Sequence, residues 1–133
     1  HRLCFTGRVP HTQVGAYYAL IDTVVLPRKD WPVCQLVMPL KGIEALSFGM
    51  QLLVSDVAPL RDLQQISATV QVFKAGDTAD LARQLTAMLG KRLLPAEREQ
   101  MRQALWQQQQ YARICQPMLQ WSERSSEPRS AQC

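Results

Sequence analysis

The residues best equipped for chemistry in this chain stand at the start of one predicted helix, in the run PLKGIEALSFG at residues 39–49, where Lys41 and Glu44 lie three positions apart. Pro39 suits the first position of a helix, where a missing N–H costs nothing. Gly49 suits the residue just past the end, where a left-handed backbone is needed. Lys41 then falls in the first turn, beside the N–H groups of Leu40 and Gly42 that have no partner within the helix. A cation opposes the helix dipole there, and the placement is easier to understand if a bound anion takes up the lysine charge and the free N–H groups together. The alternative on helix geometry alone is a lysine that faces water, since dipole effects at exposed sites are only about 0.3–1 kcal/mol.

The elements that must position these groups follow from the apolar pattern. Residues 36–56 read as loop, helix and strand. Residues 3–6 and 22–27 are short apolar runs bounded by turn residues, as expected of buried strands. Helical composition lies between them at 13–20. A strand at 52–55, a short helix at 59–66 and a fourth strand at 69–73 complete an alternation that predicts a parallel α/β sheet with covering helices. A helix at 78–89 follows, with Asp77 as N-cap, Asp80 in its first turn and Gly90 as its stop. A longer helix begins near Pro95, carries a stripe of Met101, Leu105, Ala112, Cys115 and Leu119, and is expected to kink or stop at Pro117. Residues 1–121 form one expected domain; residues 122–133 are polar, poor in apolar side chains, and read as a disordered tail.

Composition narrows the classes. At 133 residues, 47% hydrophobic and 20% charged, the chain is about one globular domain. No window approaches the roughly 18 apolar residues of a membrane span, and no signal-peptide pattern opens the sequence. The chain starts at His1 and enters an apparent strand almost at once, so it is expected to be a fragment. Cys4, Cys34, Cys115 and Cys133 have neither zinc-site nor redox-motif spacing and read as reduced thiols of an intracellular protein. With only His1 and His11 as imidazoles, no dedicated metal site is expected. The net charge of +4 lies mostly after residue 90. No aromatic residues interleave with that excess in the manner of a nucleic-acid platform, so nucleic acid is not an expected partner. Weak attraction to an anionic membrane surface is more plausible, with a solvated helix face as the default.

In open α/β sheets, ligands bind outside the carboxyl ends of the strands. The loops at that edge carry Arg8, His11, Arg28, Lys29 and Lys41. Any one of them alone reads as an ordinary polar loop residue; their joint placement predicts a site for a polyanion.

A family resemblance rests on FTGRVPH at 5–11, YYALIDTVVLPR at 17–28, PLKGIEALSFG at 39–49, VSDV at 54–57 and LRD at 60–62. This ordered series resembles the carboxy-terminal domain of group 1 glycosyltransferases, the retaining, nucleotide-sugar-dependent enzymes of the GT-B fold, over residues 3 to about 90. The resemblance implies a Rossmann-like half that binds a nucleoside-diphosphate sugar, and an amino-terminal half, outside this chain, that binds the acceptor. It needs no cofactor and implies a cytoplasmic enzyme, at most peripheral to a membrane.

By the same resemblance, Glu44 matches the second of two family glutamates and would contact the ribose. The first is replaced by Gln35 or Leu36, depending on a one-residue gap, and Gln35 could still bond a sugar hydroxyl as a neutral amide. Ala58-Pro59 stands where the family often has paired glycines, and Gln51 where a proline is common. Charge developing on the leaving diphosphate would be met by the N–H groups around Leu40–Gly42, by Lys41 as the catalytic cation, and more weakly by Arg28. The fragment alone is expected to be inactive. The competing expectation is a non-catalytic nucleotide-binding or subunit-interaction module, favoured by the missing glutamate. A flavodoxin-like domain fits the strand order but lacks an acidic cluster or glycine-rich phosphate fingerprint.

Overall fold

A computed structural model describes residues 3–107. A 3-10 turn at His11–Gln13 leads into α1 (Val14–Leu20), followed by β1 (Thr23–Leu26), α2 (Pro32–Leu36), α3 (Leu40–Ser47) and β2 (Gln51–Ser55). Next come α4 (Ala58–Arg61), continued by a 3-10 turn at Asp62–Gln65, then β3 (Val70–Phe73), α5 (Thr78–Met88) and α6 (Pro95–Gln107). The three strands form one parallel sheet in the order β1-β2-β3, with Leu26 opposite Val54 and Ser55 opposite Phe73 at the carboxyl end.

Side chains alternate across a strand, so each strand feeds two layers. Leu52 and Val54 of β2 point into the larger core with Ile43 and Leu46 of α3, Leu60 of α4, and Met101 and Leu105 of α6. Leu53 and Phe73 point the other way, onto Met88, Leu81 and Leu85 of α5. Every residue of β2 is buried, whereas those of β1 are half-buried. This is the pattern of a central strand beside an edge.

Helix α3, which holds Lys41 and Glu44, is anchored at its far end. Gly49 has φ 72°. Its N–H donates to the Leu46 carbonyl and that of Met50 to the Ala45 carbonyl, each at 3.0 Å, which closes α3 with paired reverse bonds. A Cβ added to Gly49 would also lie 2.9 Å from Arg98 Cβ, so its bareness lets α6 lie against α3. Gly42 serves close packing as well: a Cβ there would meet Leu63 Cδ1 at 2.8 Å. Burial of Ile43 and Leu46 then holds the helix, at about 1.5–3 kcal/mol for each side chain.

Three sequence expectations change. Residues 3–6 are not a strand: they pair with nothing among the described residues, and Leu3 and Phe5 are 81% and 92% exposed. An apolar run becomes a strand only when a neighbour supplies backbone partners and cover, so the sheet described here has three strands rather than four. The second change is α2, a five-residue helix with Pro32 at its start that the sequence analysis leaves unassigned. Pro39 is the N-cap of α3 rather than its first residue.

The other helices begin as their local signals require. Asp77 caps α5 by accepting from the Asp80 N–H at 2.9 Å, and Glu97 reaches back to the Leu94 N–H at 2.7 Å ahead of α6. The predicted kink at Pro117 and tail at 122–133 lie outside the described residues. Among those described, no helix is long and apolar enough to cross a membrane.

Candidate functional site

The carboxyl end of the sheet meets the start of α3 in an open groove of about 460 Å³, lined by Leu26, Pro27, Arg28, Pro39, Leu40 and Lys41. The chain turns out of β1 at Pro27 and enters α3 at Leu40, so two cationic side chains, one from the β1 loop and one from the first turn of α3, line one hollow. Among the described residues neither Arg28 nor Lys41 forms an ion pair. The Arg28 guanidinium lies 3.9 Å from the sulfur of buried Cys34. Lys41 is exposed. A second hollow of about 600 Å³, whose lining includes Thr6, Tyr17, Tyr18 and Val24, shares Leu26 and Lys41 with the first. Together they offer a charged hollow joined to a largely apolar one.

The three backbone groups expected to face an anion are not equivalent. Gly42 is buried, and its N–H turns back onto the Pro39 carbonyl at 3.1 Å. The N–H groups of Leu40 and Lys41 have no backbone partner among the described residues, as the first turn of a helix requires. The backbone N–H groups that α3 leaves without a backbone partner are therefore those of its first two residues.

Glu44 lies half-buried one turn further on and lines neither hollow itself. It reaches the second through Tyr18, whose ring is buried and stacks on Phe48 at 4.6 Å. Burial, then the charge and hydrogen bonding of the adjacent Glu44 carboxylate, push the Tyr18 hydroxyl up to about 12. The phenol is thus held protonated beside the carboxylate, able to donate to it. Sequence reasoning gave Tyr18 no role, because the feature that matters is a partner on another helix.

Gln35 has a different setting. Its Oε1 accepts from the Ala58 N–H at 2.8 Å at the start of α4, and its Nε2 donates to Asp30. Both ends of the amide are engaged within the chain, tying α2 to α4. Arg8 and Lys29 are exposed, and Lys29 sits 5.1 Å from the centre of the Trp31 ring. The structure therefore brings Arg28, Leu40 and Lys41 together, with Glu44 at the margin, and leaves Gln35 and the Gly42 N–H in structural bonds.

Ser55 is also absent from the sequence-based set. Wholly buried at the end of β2, its Oγ accepts from the Arg28 N–H at 2.7 Å and donates to the Leu26 carbonyl at 3.3 Å. A serine closing an otherwise apolar strand was the available signal. Among the described residues, no three of His, Cys, Asp and Glu cluster as metal ligands would.

The arrangement defines an α/β domain with a cationic groove at the carboxyl edge of a parallel sheet. No protein-family model, characterised protein or solved structure matches the chain.

Proposed function

We propose that the groove between the β1 loop and α3 holds the diphosphate of a nucleoside-diphosphate sugar, and that the chain is the donor half of a retaining glycosyltransferase. The observation that carries this reading is the convergence of Arg28, Lys41 and the N–H groups of Leu40 and Lys41 on one hollow at the edge where such sheets take their ligands. Negative charge growing on the departing diphosphate is met there by preorganised donors and two cations. The adjoining hollow, with Tyr17 and Tyr18 on its wall, takes the less charged part of the ligand. Glu44, one turn into α3, accepts from the ribose hydroxyls. An acceptor-binding half completes the enzyme, which acts in the cytoplasm or at the membrane periphery and requires no cofactor.

A second reading, a nucleotide-binding or subunit-interaction module without transfer activity, is favoured by Gln35. Gln35, which with Leu36 is a candidate for the place of the family's sugar-binding carboxylate, carries no charge and is held by bonds to Ala58 and Asp30, so its orientation is set by the fold rather than by a sugar. Binding and turnover assays on the protein with its acceptor half decide between the two readings. The enzyme reading expects Lys41→Ala to reduce turnover chiefly and Glu44→Gln to weaken donor binding. Unchanged affinity and rate in both variants would contradict the site. Donor binding with no transfer to any acceptor would establish the module instead.

A further inference from the structure

The hydrogen bonds at the carboxyl end of the sheet point to a residue that sets one wall of the groove without lining it. β1 and β2 run in register through Leu26 opposite Val54. Pro27 then ends the strand with its nitrogen turned away from β2, since the Leu26 carbonyl before it and the Arg28 N–H after it both face Ser55. One residue later the chain is caught again by the Ser55 hydroxyl, which accepts from the Arg28 N–H at 2.7 Å while donating to the Leu26 carbonyl at 3.3 Å. One side chain thus satisfies the acceptor just before the proline and the donor just after it.

Ser55 has no exposed surface, so water is poorly placed to replace either bond. A buried hydroxyl is unfavourable unless it is bonded, and here its bonding is directed wholly at the chain that leaves β1. We infer that Ser55 is a positioning residue: its hydroxyl carries the sheet connection past Pro27 and holds the Arg28 backbone across the end of β2, so that Arg28 faces the same groove as Leu40 and Lys41. This inference rests on the diphosphate reading given above.

Two measurements on the whole chain test it. Ser55→Ala deprives the Arg28 N–H of its acceptor, whereas Ser55→Thr retains Oγ. Amide exchange followed by NMR should be about two- to tenfold faster at Arg28 in Ser55→Ala and near the wild-type rate in Ser55→Thr, as loss of one hydrogen bond of ordinary strength requires. Unchanged exchange at Arg28 in Ser55→Ala overturns the inference.

Calorimetry with uridine diphosphate supplies the functional arm. Ser55→Ala and Arg28→Ala should each weaken binding about tenfold, and the double variant no more than Arg28→Ala alone, because the hydroxyl acts through Arg28. Additive losses would show that Ser55 acts elsewhere in the fold and would also overturn the inference. Should Ser55→Ala fail to fold, Ser55→Cys carries the same test with a weak acceptor of similar size. Wild-type protein that binds no nucleoside diphosphate overturns the reading of the site, and the exchange rates distinguish that failure from failure of the serine contact.

Discussion

The two ends of the sheet each carry a pair of cationic residues and differ in whether carboxylates stand beside them. At the amino end, Lys91 and Arg92 border a hollow of about 390 Å³, near Gln51 at the start of β2. Arg92 pairs with Asp22 at 2.7 Å, just ahead of β1, and Gln51 donates its amide to the Lys91 carbonyl. These polar groups close the chain on itself. At the carboxyl end, Arg28 and Lys41 border a groove of comparable size with no carboxylate paired to either among the described residues. What separates the two ends is the carboxylates: Asp22 holds Arg92 and Glu97 lines the amino-end hollow, whereas no acid lines the groove of Arg28 and Lys41.

The sharpest way to break this contrast is to remove both cations of the carboxyl end. Arg28→Ala with Lys41→Ala should weaken binding of a nucleoside diphosphate about a hundredfold or more, since a hydrogen bond to a charged group contributes about 1.5–3 kcal/mol. Stability against urea should move by no more than about 0.5 kcal/mol, as befits side chains outside the core. A large loss of stability with binding preserved would reverse the assignment of the two ends.

Gln51→Ala should show the opposite behaviour. It leaves the Lys91 carbonyl without its partner and opens space in a buried site, so unfolding in urea should register a loss of about 1–3 kcal/mol with diphosphate affinity unchanged. Equal effects on stability and binding would show that the two ends are not independent.

A smaller effect sharpens the picture of the carboxyl end itself. The Tyr18 hydroxyl is raised in the folded protein from 10.0 to about 12. The protonated phenol is thus favoured by folding, and its contribution to stability is fully present below pH 10 and is lost as pH rises towards about 12. Titration of phenolate absorbance should place Tyr18 late. Glu44→Gln should bring it only part of the way back, because burial is the larger cause. A Tyr18 titration unmoved by Glu44→Gln would separate the two residues.

Much of this fold was legible in the sequence wherever the signal is local. Asp77, Gly49, Gly90 and Pro95 mark helix ends by properties of their own backbone or side chain, and the helices end within a residue or two of where those signals put them. The apolar runs of β2 and β3 are short and bounded, and they pair as expected. The run at residues 3–6 has the same local character and forms no strand, because pairing depends on a neighbour that sequence pattern does not display.

The site follows the same division. The spacing of Lys41 in PLKGIEALSFG located a helix start, which lies at the carboxyl end of the sheet, and Arg28 was legible as the residue after an apolar strand. The bonds from Gln35 to Ala58 and from Ser55 to Arg28 span 23 and 27 positions, and the Tyr18 ring of α1 stacks on Phe48 at the end of α3. Such contacts decide whether a polar side chain is available to a ligand, and they emerge only when the sheet has assembled.

The most direct test of the central claim is a calorimetric titration with uridine diphosphate of three proteins in parallel: wild type, Lys41→Ala and Arg92→Ala. The account predicts that wild type and Arg92→Ala bind alike and that Lys41→Ala binds at least about tenfold more weakly. Equal weakening in the two variants, or no binding by wild type, would contradict it.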